Sequence, residues 1–279
     1  MSPSSPRIHH LNCGTMCPWG ERLTNGEGSW FGTARMVCHC LLIEGADGLV
    51  LVDTGYGTGD IANPRQLGRP LKALIRPRLE ESETAVAQVR KLGLDPADVR
   101  HVVATHLDID HAGGLPDFPG AEVHLLGTER DAALSPSLRE RSRYIEAHFA
   151  HGPNWVTHDT GAGGDEWHGF ESVRVLEQDG AEVLLIPLPG HSRGHTGVAV
   201  RRPEDWLLHA GDAYFFHGEV ETPHRCPPGL WIFQNLTQVD GKLRRQNQER
   251  LRELVRQHGD EVELICSHDP VTLDRLQAG

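Results

Sequence analysis

The feature that constrains this chain most is a cluster of polar side chains directly after an apolar run. The run VRHVVAT (99–105) predicts a buried β-strand, and it continues into the sequence HLDIDHAGG. His106, Asp108, Asp110 and His111 therefore lie within six residues of one another. Imidazole and carboxylate together suit zinc, iron or manganese, and paired glycines let a backbone pass close to a metal. The pattern predicts a fold in which a strand end presents metal ligands.

Three further polar motifs follow apolar runs. In PGHSRGHT we predict that His195, directly ahead of a strand at 197–200, binds metal, and that His191 is a hydrogen-bonding turn residue. Asp212 follows DWLLHAG, and a carboxylate can bridge two cations. His268 ends the run VELICS. A lone histidine after a strand is usually structural, but four such motifs in order indicate one composite metal centre.

The rest of the chain alternates short β-rich runs with helical segments and has no internal repeat. We predict strands at 36–44, 49–53, 99–105, 122–126, 173–176, 183–188, 197–200 and 262–267. We predict helices from an N-cap at Ser82 to Gly93, as one or two helices over 127–150, and over 241–258. Strand-rich halves, each followed by helices, predict the α/β (α+β) class with a four-layer αββα sandwich. The segment 135–151 is either a lid, a dimer element or a solvated helix over the sheet.

The ordered motifs LVDTG, HxDxDHAGG, PGHSRGH, GD and SHD resemble the metallo-β-lactamase superfamily, over about residues 36 to 270. Within it, the sequence is most similar to the N-acyl homoserine lactone lactonases. The resemblance implies a single metallo-β-lactamase domain over 1–279, with 1–35 as an extension that covers the pocket. It also implies two divalent metal ions. Zinc is the first choice, and the carboxylate of Asp108 makes iron or manganese the alternatives.

Carried over position by position, the resemblance implies seven metal ligands: His106, Asp108, Asp110, His111, His195, Asp212 and His268. Asp212 would lie between the two metals, and Asp53 in LVDTG would orient ligands rather than bind metal. Two positions depart from the family pattern. The family usually has histidine where this chain has Asp108, and the lactonases have tyrosine where this chain has Phe215. Tyr214, one residue earlier, is either a substitute for that tyrosine or a packing residue.

The predicted function is hydrolysis of a small ester-like substrate by attack of a metal-bound hydroxide, with a lactone such as an acyl homoserine lactone as the leading substrate. Asp110 would pass a proton to the leaving oxygen, so Asp110 and Tyr214 are the predicted catalytic residues. The alternatives are hydrolysis of thioesters, phosphoesters or β-lactams, and an iron-dependent redox role like that of the flavodiiron proteins. The flavodiiron proteins also carry a carboxylate at the place of Asp108.

The net charge and the composition limit the classes of molecule that this protein is expected to bind. With 27 basic and 39 acidic residues the net charge is −12, which disfavours binding to nucleic acid or to an anionic membrane. We expect a small-molecule substrate and a monomer or homodimer. No stretch approaches the roughly 20 apolar residues of a membrane helix, so we expect a cytoplasmic protein. Its cysteines are then expected to be reduced thiols. The alternative is a four-thiolate zinc site formed by Cys13, Cys17, Cys38 and Cys40, although their spacing is unlike that of the usual zinc ribbons.

Overall fold

The computed structural model describes residues 6–161, 165–178 and 181–278. Two β-sheets pack face to face in it, and helices cover their outer faces. This arrangement confirms the predicted αββα sandwich. The strands are β1 Arg7–Met16, β2 Met36–Gly45, β3 Gly48–Val52, β4 Val99–Val103, β5 Glu122–Leu126, β6 Asn154–His158, β7 Asp165–Trp167, β8 Phe170–Gln178, β9 Ala181–Pro187, β10 Thr196–Arg201, β11 Trp206–His209 and β12 Val262–Ile265.

Each sheet holds six strands, in the order β1 to β6 in the first sheet and β12 to β7 in the second. In the first sheet β1, β2 and β3 pair antiparallel, whereas β3, β4, β5 and β6 pair parallel. In the second sheet the neighbours from β7 to β11 are antiparallel, and β12 joins β11 in parallel. Parallel neighbours run in the same direction, so the segments that follow them leave at the same edge of a sheet.

The helices of the described residues are α1 Glu21–Thr24, α2 Thr58–Ala62, α3 Arg69–Ile75, α4 Ala85–Lys91, α5 Ile109–Ala112, α6 Gly127–Leu134, α7 Glu146–Phe149, α8 Pro228–Thr237, α9 Gly241–His258 and α10 Pro270–Ala278. Helix α9 has the predicted bounds, because the Asp240 carboxylate accepts hydrogen bonds from two backbone N–H groups of its first turn. Helix α4 corrects the prediction of an N-cap at Ser82. The cap is Thr84, whose hydroxyl accepts a hydrogen bond from the N–H of Ala87.

The layer between the sheets is made of branched apolar side chains. Leu41 and Val52 of the first sheet belong to one buried cluster with Leu185 and Val198 of the second. Successive side chains of a strand point to opposite faces, so the alternate residues face the helices instead. All six cysteines are free, and four of them are buried: Cys13, Cys38, Cys40 and Cys266. None of the described helices combines the length and the apolar character that crossing a bilayer requires.

Two segments differ from the sequence prediction. Within the described part of the predicted N-terminal extension, Arg7–Met16 forms strand β1 at the edge of the first sheet, which the sequence did not predict. The segment 135–151 holds only the short helix α7 and is otherwise built of turns. Polar side chains of this segment form hydrogen bonds with residues of other elements, and the segment does not form the single solvated helix that was one of the predicted alternatives. Glu140, for example, accepts hydrogen bonds from the guanidinium of Arg193.

Candidate metal centre

The loop after β4 carries the first polar motif. His106 is fully buried directly beyond the strand, and the short helix α5 begins after Asp108. The strand end is held by Asp53, whose two carboxylate oxygens accept hydrogen bonds from the N–H and the hydroxyl of Thr105, each at 2.8 Å. Asp53 Oδ2 also lies 2.8 Å from Nδ1 of His111. Asp53 thus orients His111 from behind, as the resemblance implied.

The remaining groups come from the second sheet, after β9, β11 and β12, and Asp212 lies at the centre of the cluster. Its Oδ1 is 3.3 Å from Nε2 of His111 and 3.1 Å from Nε2 of His268. Its Oδ2 is 3.8 Å from Nε2 of His106 and 3.4 Å from Nε2 of His191. Nε2 of His268 also lies 3.2 Å from Oδ2. Both oxygens of this carboxylate therefore face histidines, Oδ1 towards His111 and Oδ2 towards His106 and His191, which is compatible with a bridging ligand.

Potential ligand atoms gather in three overlapping groups. Within each group these atoms lie within 4.8 Å of one another. Six of the seven predicted ligands belong to these groups, and His191 is the additional member. The groups are His106, Asp108 and His191; His106, His111 and Asp212; and Asp110, His111 and His268.

The structure places the two histidines of the motif PGHSRGH differently from the prediction. His195 is buried, but its Nδ1 donates a hydrogen bond to the carbonyl of Leu188 at 3.0 Å, and its Nε2 accepts one from the N–H of Asp212 at 2.9 Å. Both ring nitrogens are therefore engaged by backbone. The Nε2 of His191 lies instead 3.0 Å from Oδ2 of Asp108, inside the cluster. In these contacts His191 joins the cluster as a further candidate ligand and His195 supports the loop of Asp212. The ligand role of His195 stays a prediction.

Glu129 joins the two main motif loops, a role that the sequence did not reveal. This fully buried residue of α6 accepts hydrogen bonds from the hydroxyl of Ser192 at 2.6 Å and from the N–H of Gly194 at 3.0 Å. Its other oxygen accepts from the N–H of Leu107 at 3.1 Å. A glutamate in a helical segment is ordinarily exposed to solvent, so the position of Glu129 in the sequence did not indicate that it would be buried between two loops. In the fold, this one carboxylate fixes the loop after β4 against the loop after β9.

Arg143 is the second residue that sequence reasoning missed. It lies in the turns before α7, and its Nε and Nη2 donate to Oδ1 and Oδ2 of Asp108, each at 2.8 Å. Its Nη1 donates to the carbonyl of His191 at 2.7 Å. Two parallel hydrogen bonds of this kind are the strongest ion-pair geometry available to a carboxylate. Asp108 could have indicated such a residue, because a carboxylate in place of a neutral histidine adds a negative charge that a nearby cation would compensate.

The charges of the cluster favour ionised carboxylates and a neutral His191. Burial alone would raise the pKa of Asp108 and of Asp212. The charge of Arg143 nevertheless holds the pKa of Asp108 well below its ordinary value, and His268 does the same for Asp212. Burial, followed by the charge of Arg143, lowers the pKa of His191 to about 4. Burial alone would lower the pKa of His111 and of His268, but the charge of Asp212 raises both, so a metal ion would displace a proton from these two imidazoles on binding.

The residues present fit divalent metal ions. Nε2 of His106 and Nε2 of His111 are buried and have no hydrogen-bond partner among the described residues. Buried polar atoms are nearly always paired in native proteins, and an ion is one of the partners that would satisfy these two. Imidazole and carboxylate ligands are those of zinc, iron and manganese sites.

The two aromatic residues after Asp212 face opposite ways. The ring centroid of Phe215 lies 4.7 Å from that of His268, so Phe215 faces the cluster. Tyr214 is buried with Trp206 and Cys266 in the apolar cluster between the second sheet and helix α9, where burial raises the pKa of its hydroxyl. The structure therefore does not bring Tyr214, the predicted catalytic residue, to the cavity over the cluster, because its side chain lies in a core layer.

That cavity has a volume of about 160 Å³. The candidate ligands that line it are Asp108, Asp110, His191, Asp212 and His268. The apolar side chains that line it are Met16, Met36, Leu71, Ile75, Ile109, Phe233, Leu236 and Val239. Met16 ends β1, so the N-terminal part of the chain does contribute one wall of the cavity.

A family model described as the metallo-beta-lactamase superfamily matches residues 34–268. This chain belongs to the metallo-β-lactamase superfamily. It is a metal-dependent hydrolase, in keeping with relatives such as a probable metallo-hydrolase of Mycobacterium tuberculosis, to which it is 43% identical over 95% of this chain and 80% of the relative. The N-acyl homoserine lactonase AttM of Rhizobium johnstonii is 31% identical over 75% of this hydrolase and 76% of that enzyme.

The fold of the hydrolase matches solved structures over almost its whole length. A structure of AiiA from B. thuringiensis with N-decanoyl-L-homoserine bound at its active site superposes with a TM-score of 0.72. The alignment covers 99% of the hydrolase and 97% of AiiA at 21% sequence identity. At this identity the likeness establishes the shared fold alone.

Proposed function

We propose that this hydrolase opens small lactone rings, with N-acyl homoserine lactones as the leading class, at a centre that holds two divalent metal ions. The observation that carries the proposal is the cavity, which is lined both by candidate metal ligands and by apolar side chains. A lactone ring with an acyl chain likewise has a polar part and an apolar part. The relatives named as N-acyl homoserine lactonases support this substrate class.

Two sets of residues would hold the metals, with zinc as the first candidate: His106, Asp108 and His191 for one ion, Asp110, His111 and His268 for the other, and Asp212 between them. A divalent metal, when bound, lowers the pKa of a bound water toward about 7 and polarises a carbonyl oxygen. The harder carboxylate oxygen of Asp108 keeps iron and manganese as the alternatives to zinc.

Asp110 is the residue of this chain placed to move a proton. Its carboxylate lines the cavity, and the side chain is 14% exposed. Its Oδ2 lies 3.7 Å from Nε2 of His268, so it belongs to the cluster and also faces the space that a substrate would enter. In ring opening, Asp110 would accept the proton of the attacking water and deliver it to the alkoxide that leaves the acyl carbon.

Arg143 and Phe215 set two further properties of the site. Arg143 positions Asp108 by engaging both of its oxygens, in the way that ligating carboxylates are usually held by an outer partner. Phe215 brings a ring without a hydroxyl to the place where the lactonases have tyrosine. Polarisation of the substrate carbonyl in this hydrolase would therefore come from the metal centre and not from a phenol.

The test is proton release from a panel of N-acyl homoserine lactones and simple γ- and δ-lactones, with protein reloaded with zinc, manganese or iron. We expect ring opening that is lost in Asp212→Ala, because this variant removes the carboxylate shared by both ligand sets. Asp260→Ala, which changes an exposed aspartate, is the matched control and should keep full activity. Silence across the panel in protein that holds two metals per chain would refute the lactone proposal and redirect the search to thioesters and phosphoesters.

A further inference from the structure

A second group of metal-binding side chains lies on the first sheet, away from the catalytic centre. His101 is on β4, Glu122 and His124 are on β5, and His101 pairs with Glu122 in the register of these parallel strands. Because side chains alternate along a strand, His124 shares a face with Leu126, which packs in the layer between the sheets. His101 lies within β4, whereas His106 lies in the loop beyond the end of that strand.

The distances between the potential ligand atoms match those around a small cation. Nδ1 of His101 lies 3.0 Å from Nε2 of His124 and 3.4 Å from Oε2 of Glu122, and Nε2 of His124 lies 3.7 Å from the same oxygen. Ligands at about 2.0–2.1 Å from a tetrahedral zinc are separated from one another by about 3.3 Å. We propose that His101, Glu122 and His124 form a separate site for a divalent transition-metal ion, with zinc as the expected occupant.

The outer contacts of His124 favour this role. Its Nδ1 lies 3.2 Å from Nε2 of His158, and the two rings are stacked with their centroids 5.4 Å apart. A proton on Nδ1 of His124, donated to His158, leaves the lone pair of Nε2 facing His101 and Glu122. Metal-ligating histidines are characteristically held in this way through their second nitrogen. Burial, with the neighbouring histidines, lowers the pKa of His124 to about 3, so its ring is neutral at neutral pH.

The exposure of the three side chains gives a cation a way in. The side chain of His124 is 4% exposed, that of His101 17% and that of Glu122 46%. The site is therefore anchored in the protein and open on the side of the carboxylate, where water would complete the coordination. An incoming ion would replace the proton shared between the two imidazoles and would connect β4 to β5.

The experiment measures zinc bound per chain in chelator-treated protein, by dialysis with elemental analysis and by titration calorimetry. We expect His101→Gln to bind one zinc fewer per chain than the wild type, and Glu122→Gln to bind that zinc at least about tenfold more weakly. His151→Gln, which changes an exposed histidine, is the control and should match the wild type. The same zinc should remain in Asp212→Ala, because that variant alters only the catalytic cluster.

Two results would overturn the proposal. One is an unchanged zinc count and affinity in both His101→Gln and Glu122→Gln. The other is loss of zinc together with loss of hydrolysis in well-folded variants, which would assign the ion to the catalytic centre. Should His101→Gln fail to fold, the half-exposed Glu122→Gln decides the question through its zinc affinity. A rise in melting temperature on zinc addition that is smaller in Glu122→Gln than in the wild type would support the same conclusion.

Discussion

Replacing Arg143 by methionine should strongly destabilise the metal-free hydrolase. The side chains of Arg143 and Asp108 are 8% and 14% exposed, and two hydrogen bonds of 2.8 Å join them. Loss of one partner of a buried ion pair leaves an uncompensated charge and usually costs about 3–5 kcal/mol. Arg143 also donates a hydrogen bond to the carbonyl of His191, and losing that bond adds to the cost. The partial exposure of Asp108 lowers the cost, because water can solvate part of the carboxylate that is left unpaired. We expect Arg143→Met to lower the free energy of unfolding by about 3 kcal/mol.

The assay is urea unfolding of chelator-treated protein, followed by tryptophan fluorescence and circular dichroism. Arg141→Met, at an exposed position two residues away, is the control and should change the free energy of unfolding by less than about 0.5 kcal/mol. Asp108→Asn combined with Arg143→Met should recover much of the loss, because both charges are then removed. A change below about 1 kcal/mol for Arg143→Met would refute its role as the counter-charge of Asp108.

Four further predictions can be checked with the same protein. Leu185→Ala, in the layer between the sheets, should lower the free energy of unfolding by about 2–5 kcal/mol in urea, and a change under 1 kcal/mol would contradict the packing described. Burial would raise the pKa of Glu263, but hydrogen bonds from two arginines lower it. Glu263→Gln should therefore be less stable than the wild type at pH 7, and this difference should disappear as the pH falls below about 4 and the carboxylate of the wild type is protonated. Melting temperatures of both proteins across this pH range would measure the difference, and a difference that does not change with pH would contradict the prediction. Gly190→Ala should reduce both stability and hydrolysis, because the backbone φ is 140° and an added Cβ would lie 2.4 Å from the backbone N of Arg244; normal melting and activity would argue against this. Chelation should abolish hydrolysis and lower the melting temperature, with both restored by added metal, and activity that survives complete metal removal would be incompatible with the proposed centre.

Most of the strands and the motif loops could be predicted because local sequence patterns encode them, whereas β1, β6 and β7 were not predicted. Apolar runs of four to eight residues mark the strands, and the helical stripe and capping Asp240 mark α9. The positions of His191 and His195 relative to the cluster could not be predicted. The two have the same side chain in one glycine-rich loop, and only the backbone contacts of His195 with Leu188 and Asp212 decide between them.

Contacts between distant parts of the chain account for the other errors. Arg143 meets Asp108 across 35 residues of sequence, and the turns that deliver it were predicted as helix. Tyr214 and Phe215 are neighbours with similar side chains, so only the packed core shows that the tyrosine points away from the cavity. Local propensity contains no information about either choice.

The candidate ligands come from both halves of the sandwich, with those of the β4 loop on one side and those after β9, β11 and β12 on the other. A bound ion would therefore link the two halves of the sandwich, and protein without the ion would unfold more often. An ion present at one hundred times its dissociation constant stabilises the folded state by about 2.7 kcal/mol. Differences of that size change protein abundance several-fold where proteases remove unfolded chains. The supply of free metal in a cell would then govern how long this hydrolase persists, as well as whether it is active.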